Sequence, residues 1–195
     1  MTSAVLRYLT HPQVAIDPDV PVPDWGLSAL GRDRLAPLAA AGWPRGTVHL
    51  VSSGERKARE TAAILAPALG LTPEIRPLTH ENDRSATGFL PGPAFEEMAD
   101  AFFARPGESV RGWERAVDAQ ARIVAEARAV VAEAPEGDIL MVGHGAVGTL
   151  LLCHAAGRPI ARSEDQPHGG GNIFVLDRAT LTLQAGWHPL ENATA

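Results

Sequence analysis

The 195-residue chain is 45% apolar and 21% charged, the balance of a soluble globule large enough to bury a core without staples. Its formal net charge of −6 disfavours nucleic acid and anionic membranes as partners, and its single cysteine, Cys153, excludes an internal disulfide. No run approaches the roughly 20 apolar residues of a membrane span, and no charged start followed by a long apolar stretch marks a secretory signal, so a cytoplasmic protein is expected.

The first aliphatic run, residues 4–10, reads as a strand that delivers His11 at its end. Pro12, Pro18, Pro21 and Pro23 then predict a loop over 12–27. Ser28 reads as the N-cap of a helix through about Ala41, closed by Gly42. Thr47–Val51 is a second strand. Ser52-Ser53-Gly54 turns it into a helix that runs to about Leu69, loosened by Pro67 and stopped by Gly70. Residues 72–76 give a third strand. The Gly, Pro, Asn and Asp of residues 77–93 predict an excursion over one face, continued by a helix over about 93–104. The longest helical pattern covers 109–134, with Val110, Trp113, Val117, Val124 and Val131 on one apolar stripe.

A strand over 138–142 leads to His144 and to a helix over about 146–156. Two closing strands, 172–176 and 180–185, are joined by a turn at Asp177-Arg178-Ala179. This alternation predicts one α/β domain over residues 1–195. Its architecture is a three-layer sandwich, with a mostly parallel sheet, an antiparallel edge and helices on both faces. A small lid-like excursion is expected at about 77–106. Cys153 sits in an apolar helical run and reads as a buried, inert thiol.

Four segments carry candidate chemistry. Two histidines, His11 and His144, end strands that are far apart in sequence, at the sheet edge where α/β proteins place ligands. Imidazoles there can act as nucleophiles or proton donors near neutral pH. Between them, a strand empties into a helix whose first turns carry Arg56, Lys57 and Arg59, a place that attracts anions. Glu81, in the loop after the third strand, is a candidate general acid. Glycines on both sides of His144 suggest close approach of backbone to a ligand.

Together these segments resemble the histidine phosphatase superfamily, the phosphoglycerate mutase-like family. The resemblance covers nearly the whole chain. It rests on the strand ending in His11, Trp25-Gly26-Leu27-Ser28-Ala29-Leu30-Gly31, Ser52-Ser53 to Thr61-Ala62, Leu78-x-x-Glu81, Gly107-Glu108-Ser109 and Val142-Gly143-His144-Gly145. It implies that His11 is the nucleophile on phosphorus, giving a phosphohistidine, with His144 beside the phosphoryl oxygens. Glu81 is then the group that protonates the leaving oxygen and activates water. Thr10, Lys57 and Gly145 fall at phosphate-binding positions. No metal and no cofactor is implied, and the partner is a small phosphorylated molecule.

The chain departs from the family's Arg-His-Gly-x-Thr motif. It has Thr10-His11-Pro12-Gln13-Val14, and Lys57 stands where the family has a second arginine. Arginine grips phosphate through a bidentate fork, whereas lysine offers a mobile point charge. Each lost charged hydrogen bond costs about 1.5–3 kcal/mol, or roughly 10- to 100-fold. Arg7, Arg56 and Arg59 are the candidate substitutes.

Two readings follow. One is a phosphomonoester phosphatase with an altered pocket. The other is a catalytically impaired binding or regulatory protein on the same scaffold. A mutase is disfavoured because the excursion over 77–106 is short for it. An anion held between His11, Lys57 and His144 favours the enzyme, and a site filled by protein side chains favours the impaired scaffold. His80 is a candidate to tune Glu81. The segment His168-Gly169-Gly170-Gly171-Asn172 is a candidate border of the site, while His49, His154, His188 and the four tryptophans read as packing or surface residues.

Overall fold

Strand β1 (Val5–Thr10) lies inside the sheet, and its burial follows from its composition: Leu6, Tyr8 and Leu9 have no exposure at all. The computed structural model describes residues 4–167 and 169–193, so His168 lies outside the described residues. After β1 come helix α1 (Ala29–Ala41), strand β2 (Thr47–Ser53), helix α2 (Arg56–Leu69) and the short strand β3 (Glu74–Arg76). Helices α3 (Gly92–Ala104) and α4 (Ala116–Glu133) follow, then strand β4 (Asp138–Gly143), helix α5 (Gly145–Ala155) and strands β5 (Asn172–Asp177) and β6 (Leu183–Pro189).

The six strands form one sheet in the order β3-β2-β4-β1-β5-β6. The pairs β2–β3, β2–β4 and β1–β4 are parallel, while β1–β5 and β5–β6 are antiparallel. This is the expected α/β sandwich, mostly parallel with an antiparallel edge. Its two cores follow the period-2 alternation of the strands. Leu6, Tyr8, Ile139 and Met141 face α3, α4 and α5 through Phe102, Ile123 and Leu150. Leu9, Leu140 and Val142 face α1 and α2 through Leu35, Leu38, Ala62 and Leu65.

Caps set the ends of α1 and α2. Ser28 Oγ accepts the Gly31 N–H at 3.1 Å, and Gly42 and Gly70 close α1 and α2 with φ of 66° each. Cys153 is buried, and burial pushes its thiol pKa up, as fits an inert packing residue.

Two element boundaries differ most from the sequence expectations. The long helix begins at Ala116 rather than 109, because Arg111 and Gly112 take left-handed backbone angles (φ 48° and 84°) that end a 3₁₀ turn. Val117 consequently leaves the expected stripe and is 38% exposed; Ala119, Ile123, Ala127 and Val130 form the buried face instead. The last strand begins at Leu183 rather than 180. Asp177 Oδ1 accepts N–H bonds from Ala179 and Thr180 and holds the chain in a longer turn.

Candidate active site

The sheet register brings the two strand-end histidines together. Thr10 pairs with Gly143 in the parallel β1–β4 ladder, so the next residue of each strand is a histidine. Neighbouring strands lie about 4.8 Å apart, and the His11 and His144 ring centroids are 5.3 Å apart, edge to face. The ladder continues one step further, with the His11 N–H donating to Gly143 O at 3.0 Å. Because β1 and β4 are adjacent but joined through other elements, their C-terminal ends mark a switch point of the sheet.

His11 is partly buried. Its Nδ1 lies 2.9 Å from Pro12 O, a contact that only the Nδ1–H tautomer makes favourably. Nε2 then carries the lone pair. Burial, with the Lys57 charge adding to it, lowers the His11 pKa to about 4. His144 is fully buried, and burial lowers its pKa to about 3 against the pull of Glu55 and Glu81. Both rings are therefore neutral at pH 7.

His144 is fixed from two sides. The Tyr8 hydroxyl accepts the His144 N–H at 3.0 Å and donates to His144 O at 3.1 Å. Nε2 of His144 lies 2.8 Å from Ser53 Oγ and 3.5 Å from Glu55 Oε1, while its Nδ1 has no hydrogen-bond partner among the described residues. The flanking glycines make room for protein rather than for open space. A Cβ on Gly143 would stand 2.2 Å from the Tyr8 hydroxyl oxygen, and one on Gly145 would stand 2.2 Å from Gln166 Nε2.

Glu81 reaches the same spot from the excursion. Its carboxylate accepts the N–H groups of Ala146 and Val147 at 3.1 and 3.0 Å, at the first turn of α5, and that of Asn82 at 3.0 Å. Lys57 is buried on the inner face of α2, and its Nζ donates to Glu55 Oε2 at 2.5 Å and to Val22 O at 2.8 Å. Thr10 is also fully buried: its hydroxyl donates to Gln166 Oε1 at 2.7 Å and accepts the Asn172 N–H at 2.9 Å. The geometry thus gathers His11, His144, Glu81 and Lys57, whereas Thr10 is tied to Gln166 and Asn172 beneath them.

None of the three expected substitute arginines reaches the site. Arg7 pairs with Asp138 at the far end of β4 (2.7 Å), Arg56 pairs with Glu60 on the surface (2.8 Å), and Arg59 is exposed. Two other guanidiniums line the site: Arg162, which is paired with Glu96 and Asp165, and Arg84, which sequence reading passed over. Arg84 lies over the rings of Phe95 and Trp113, 5.2 and 5.6 Å from their centroids, and has no acidic partner within 4 Å among the described residues. A cavity of about 430 Å³ is lined by His11, Glu81, Arg84, Gly145 and Gln166. A second, of about 700 Å³, shares Glu81, Asn82 and Arg84 with it and is walled by Val22, Glu55, His80 and Phe89.

The second residue passed over is Glu55. Burial pushes its carboxyl pKa up, but His144, the Lys57 ammonium and the Glu81 amide outweigh that and hold it at about 2. His80 adjoins Glu81 through an Nδ1 contact to Glu81 O at 2.6 Å and lines the larger cavity. Among the described residues no helix is long and apolar enough to cross a membrane.

A family model described as histidine phosphatase superfamily (branch 1) matches residues 18–184, a span that begins after β1 and His11. Among solved structures, Bacillus stearothermophilus YhfR superposes with a TM-score of 0.77 at 18% identity, covering 93% of this chain and 94% of that one. Mycobacterial glucosyl-3-phosphoglycerate phosphatase in complex with inorganic phosphate gives 0.75 at 23% identity, with 95% of each chain covered. A putative alpha-ribazole-5'-P phosphatase from Escherichia coli gives 0.73 at 17% identity, covering 94% and 96%. No curated protein sequence matches the chain.

Proposed function

The chain belongs to the histidine phosphatase superfamily (branch 1), and from that premise we propose that it hydrolyses phosphomonoesters of small metabolites through a phosphohistidine at His11. The observation that carries this reading is the state of His11. Its Nδ1–H is held by Pro12 O, its ring is neutral at pH 7, and its Nε2 has no protein partner among the described residues. A neutral imidazole with a fixed tautomer is ready to attack phosphorus.

In the proposed reaction, His11 Nε2 forms the P–N bond as the ester P–O bond breaks. A proton from the Glu81 carboxyl goes to the leaving oxygen. Glu81 then takes a proton from water as that water attacks the phosphohistidine, which releases phosphate and restores Nε2. Arg84 and Lys57 are the cations beside the transferring group, and most of the catalysis lies in positioning and electrostatics. The structural neighbours include phosphatases of glucosyl-3-phosphoglycerate and alpha-ribazole-5'-P. They support the reaction class and leave the substrate of this chain to experiment.

A second reading is favoured by the Lys57–Glu55 pair, which places a protein carboxylate where the resemblance implies a phosphate partner. In that reading the chain is a catalytically impaired binding or regulatory protein. A broad panel of phosphate esters, run on wild type and His11→Ala together, separates the two. Phosphate release that disappears in His11→Ala is the expected result. A wild type inactive across the panel overturns the phosphatase reading.

A further inference from the structure

Glu55 is the residue before α2, yet it does not behave as a cap. Its backbone sits at the N-cap position, but its side chain accepts no backbone N–H from the first turn of the helix. The carboxylate turns into the site instead. There it takes three contacts, each from a residue read independently as part of the phosphoryl machinery. Lys57 Nζ donates to Oε2, the Glu81 N–H donates to Oε1 at 2.9 Å, and the His144 Nε2 edge lies 3.5 Å from Oε1. Only 10% of the side chain is exposed, at the wall of the larger cavity.

We infer that Glu55 is the resident anion of this site: its two oxygens occupy the Lys57 ammonium and the Glu81 N–H, donors that an oxyanion beside His144 would take, and it thereby sets specificity against free phosphate. This rests on the reading of that spot as a phosphoryl site. Held at a pKa of about 2, the carboxylate is charged at any physiological pH, so a phosphate enters beside a fixed negative charge or displaces it from Lys57. A site with an uncompensated lysine would hold a small dianion wherever one is dissolved. With Glu55 in place, a ligand must bring further contacts, from the part of the molecule that fills the adjoining cavity, to compete.

The test uses inorganic phosphate and the full chain, followed by calorimetry and by 31P line broadening. Wild type is expected to bind phosphate weakly, with a Kd of about 10 mM or more. Glu55→Gln, which keeps the shape and removes the charge, is expected to bind roughly 10- to 100-fold more tightly. The gain is expected to vanish in Glu55→Gln combined with Lys57→Met, because Lys57 supplies the freed donor. Glu55→Ala serves where the glutamine variant does not fold, and circular dichroism reports the fold of each.

Micromolar phosphate binding by wild type overturns the inference without any variant. Equal or weaker binding by the folded Glu55 variants overturns it too, and so does a gain that survives the loss of Lys57. Binding without turnover separates this from the phosphatase reading. An inactive wild type whose Glu55→Gln variant gains phosphate keeps the inference and removes the activity. An active wild type whose variant gains nothing does the reverse.

Discussion

Replacing Tyr8 by Phe isolates the contact that sets the backbone of His144. The Tyr8 hydroxyl is buried, accepts the His144 N–H at 3.0 Å and donates to His144 O at 3.1 Å. Burial pushes the phenol pKa far above its usual range, against the opposing pull of the His144 backbone contact, so it stays protonated and keeps its donor. The ring itself stacks on Phe174 at 5.0 Å and meets Trp187 edge-on at 6.4 Å, contacts that a phenylalanine retains. His144 O also retains the Gly148 N–H at 3.1 Å, so the loss falls mainly on the His144 amide. A buried N–H left without an acceptor costs about 1–3 kcal/mol. For a chain of this length each kcal/mol lowers the Tm by about 2–4 °C, so a fall of roughly 2–12 °C is expected. Urea unfolding is expected to show the same loss with an unchanged slope, since the surface exposed on unfolding is the same. A Tm within about 1 °C of wild type refutes the claim that this hydroxyl holds the β1–β4 switch point in place.

Two further outcomes follow from the same geometry. Removing the Glu81 side chain strips the acceptor from the first N–H groups of α5, so Glu81→Ala is expected to lose about 1 kcal/mol of stability in urea, independently of any effect on turnover. An undiminished urea midpoint refutes the capping role. Acid is expected to destabilise the fold. The His11 and His144 pKa values, lowered to about 4 and 3, mean that the unfolded chain takes up protons first as pH falls below about 6.5. The depressed Glu55 value acts in the same direction below about pH 4.5, because its contribution is lost as pH falls toward 2. The His11 shift alone corresponds to roughly 3 kcal/mol, so unfolding free energies at pH 7.5 and pH 4.5 that agree within about 1 kcal/mol refute the buried neutral pair.

The parts of the fold that were legible in sequence are those fixed by local chemistry. Ser28, Gly42 and Gly70 ended their helices through caps that any short window shows. The two histidines were legible as a pair because each follows a strand, and register did the rest. The misread boundaries have local causes that hydrophobic spacing does not encode. The stripe from Val110 to Val131 runs across Arg111 and Gly112, whose left-handed angles break the helix that the spacing implies. Arg84 was illegible for a different reason: it is placed by Phe95 and Trp113, aromatic residues from other segments, while its own loop carries no period. Gly143 had a visible signal with the wrong cause, since the space it leaves is filled by Tyr8 rather than by a ligand.

Glu55 was the most consequential omission, and the sequence held a clue to it. Reading Arg56, Lys57 and Arg59 as one basic cluster ignored the helical period, which turns Arg56 and Arg59 to solvent and buries Lys57 with Ala58, Thr61 and Ala62. A single buried ammonium needs a counter-charge or an anion, because an unpaired one is too costly to bury. The residue two positions before it is a glutamate in the turn between β2 and α2, within reach of the same spot. Seen this way, Thr10 and Glu55 act together. The first removes a cation that the family resemblance leads one to expect, and the second adds an anion beside the cation that remains. Lys57 is then paired with Glu55 beside two neutral imidazoles, and the adjoining cavity carries cations and carboxylates together, Arg84 and Arg162 with Glu81, Glu96 and Asp165. Phosphate recognition in such a site depends on hydrogen-bond donors and on contacts to the rest of the ligand more than on net charge, so affinity for the free ion and affinity for a substrate become separable properties.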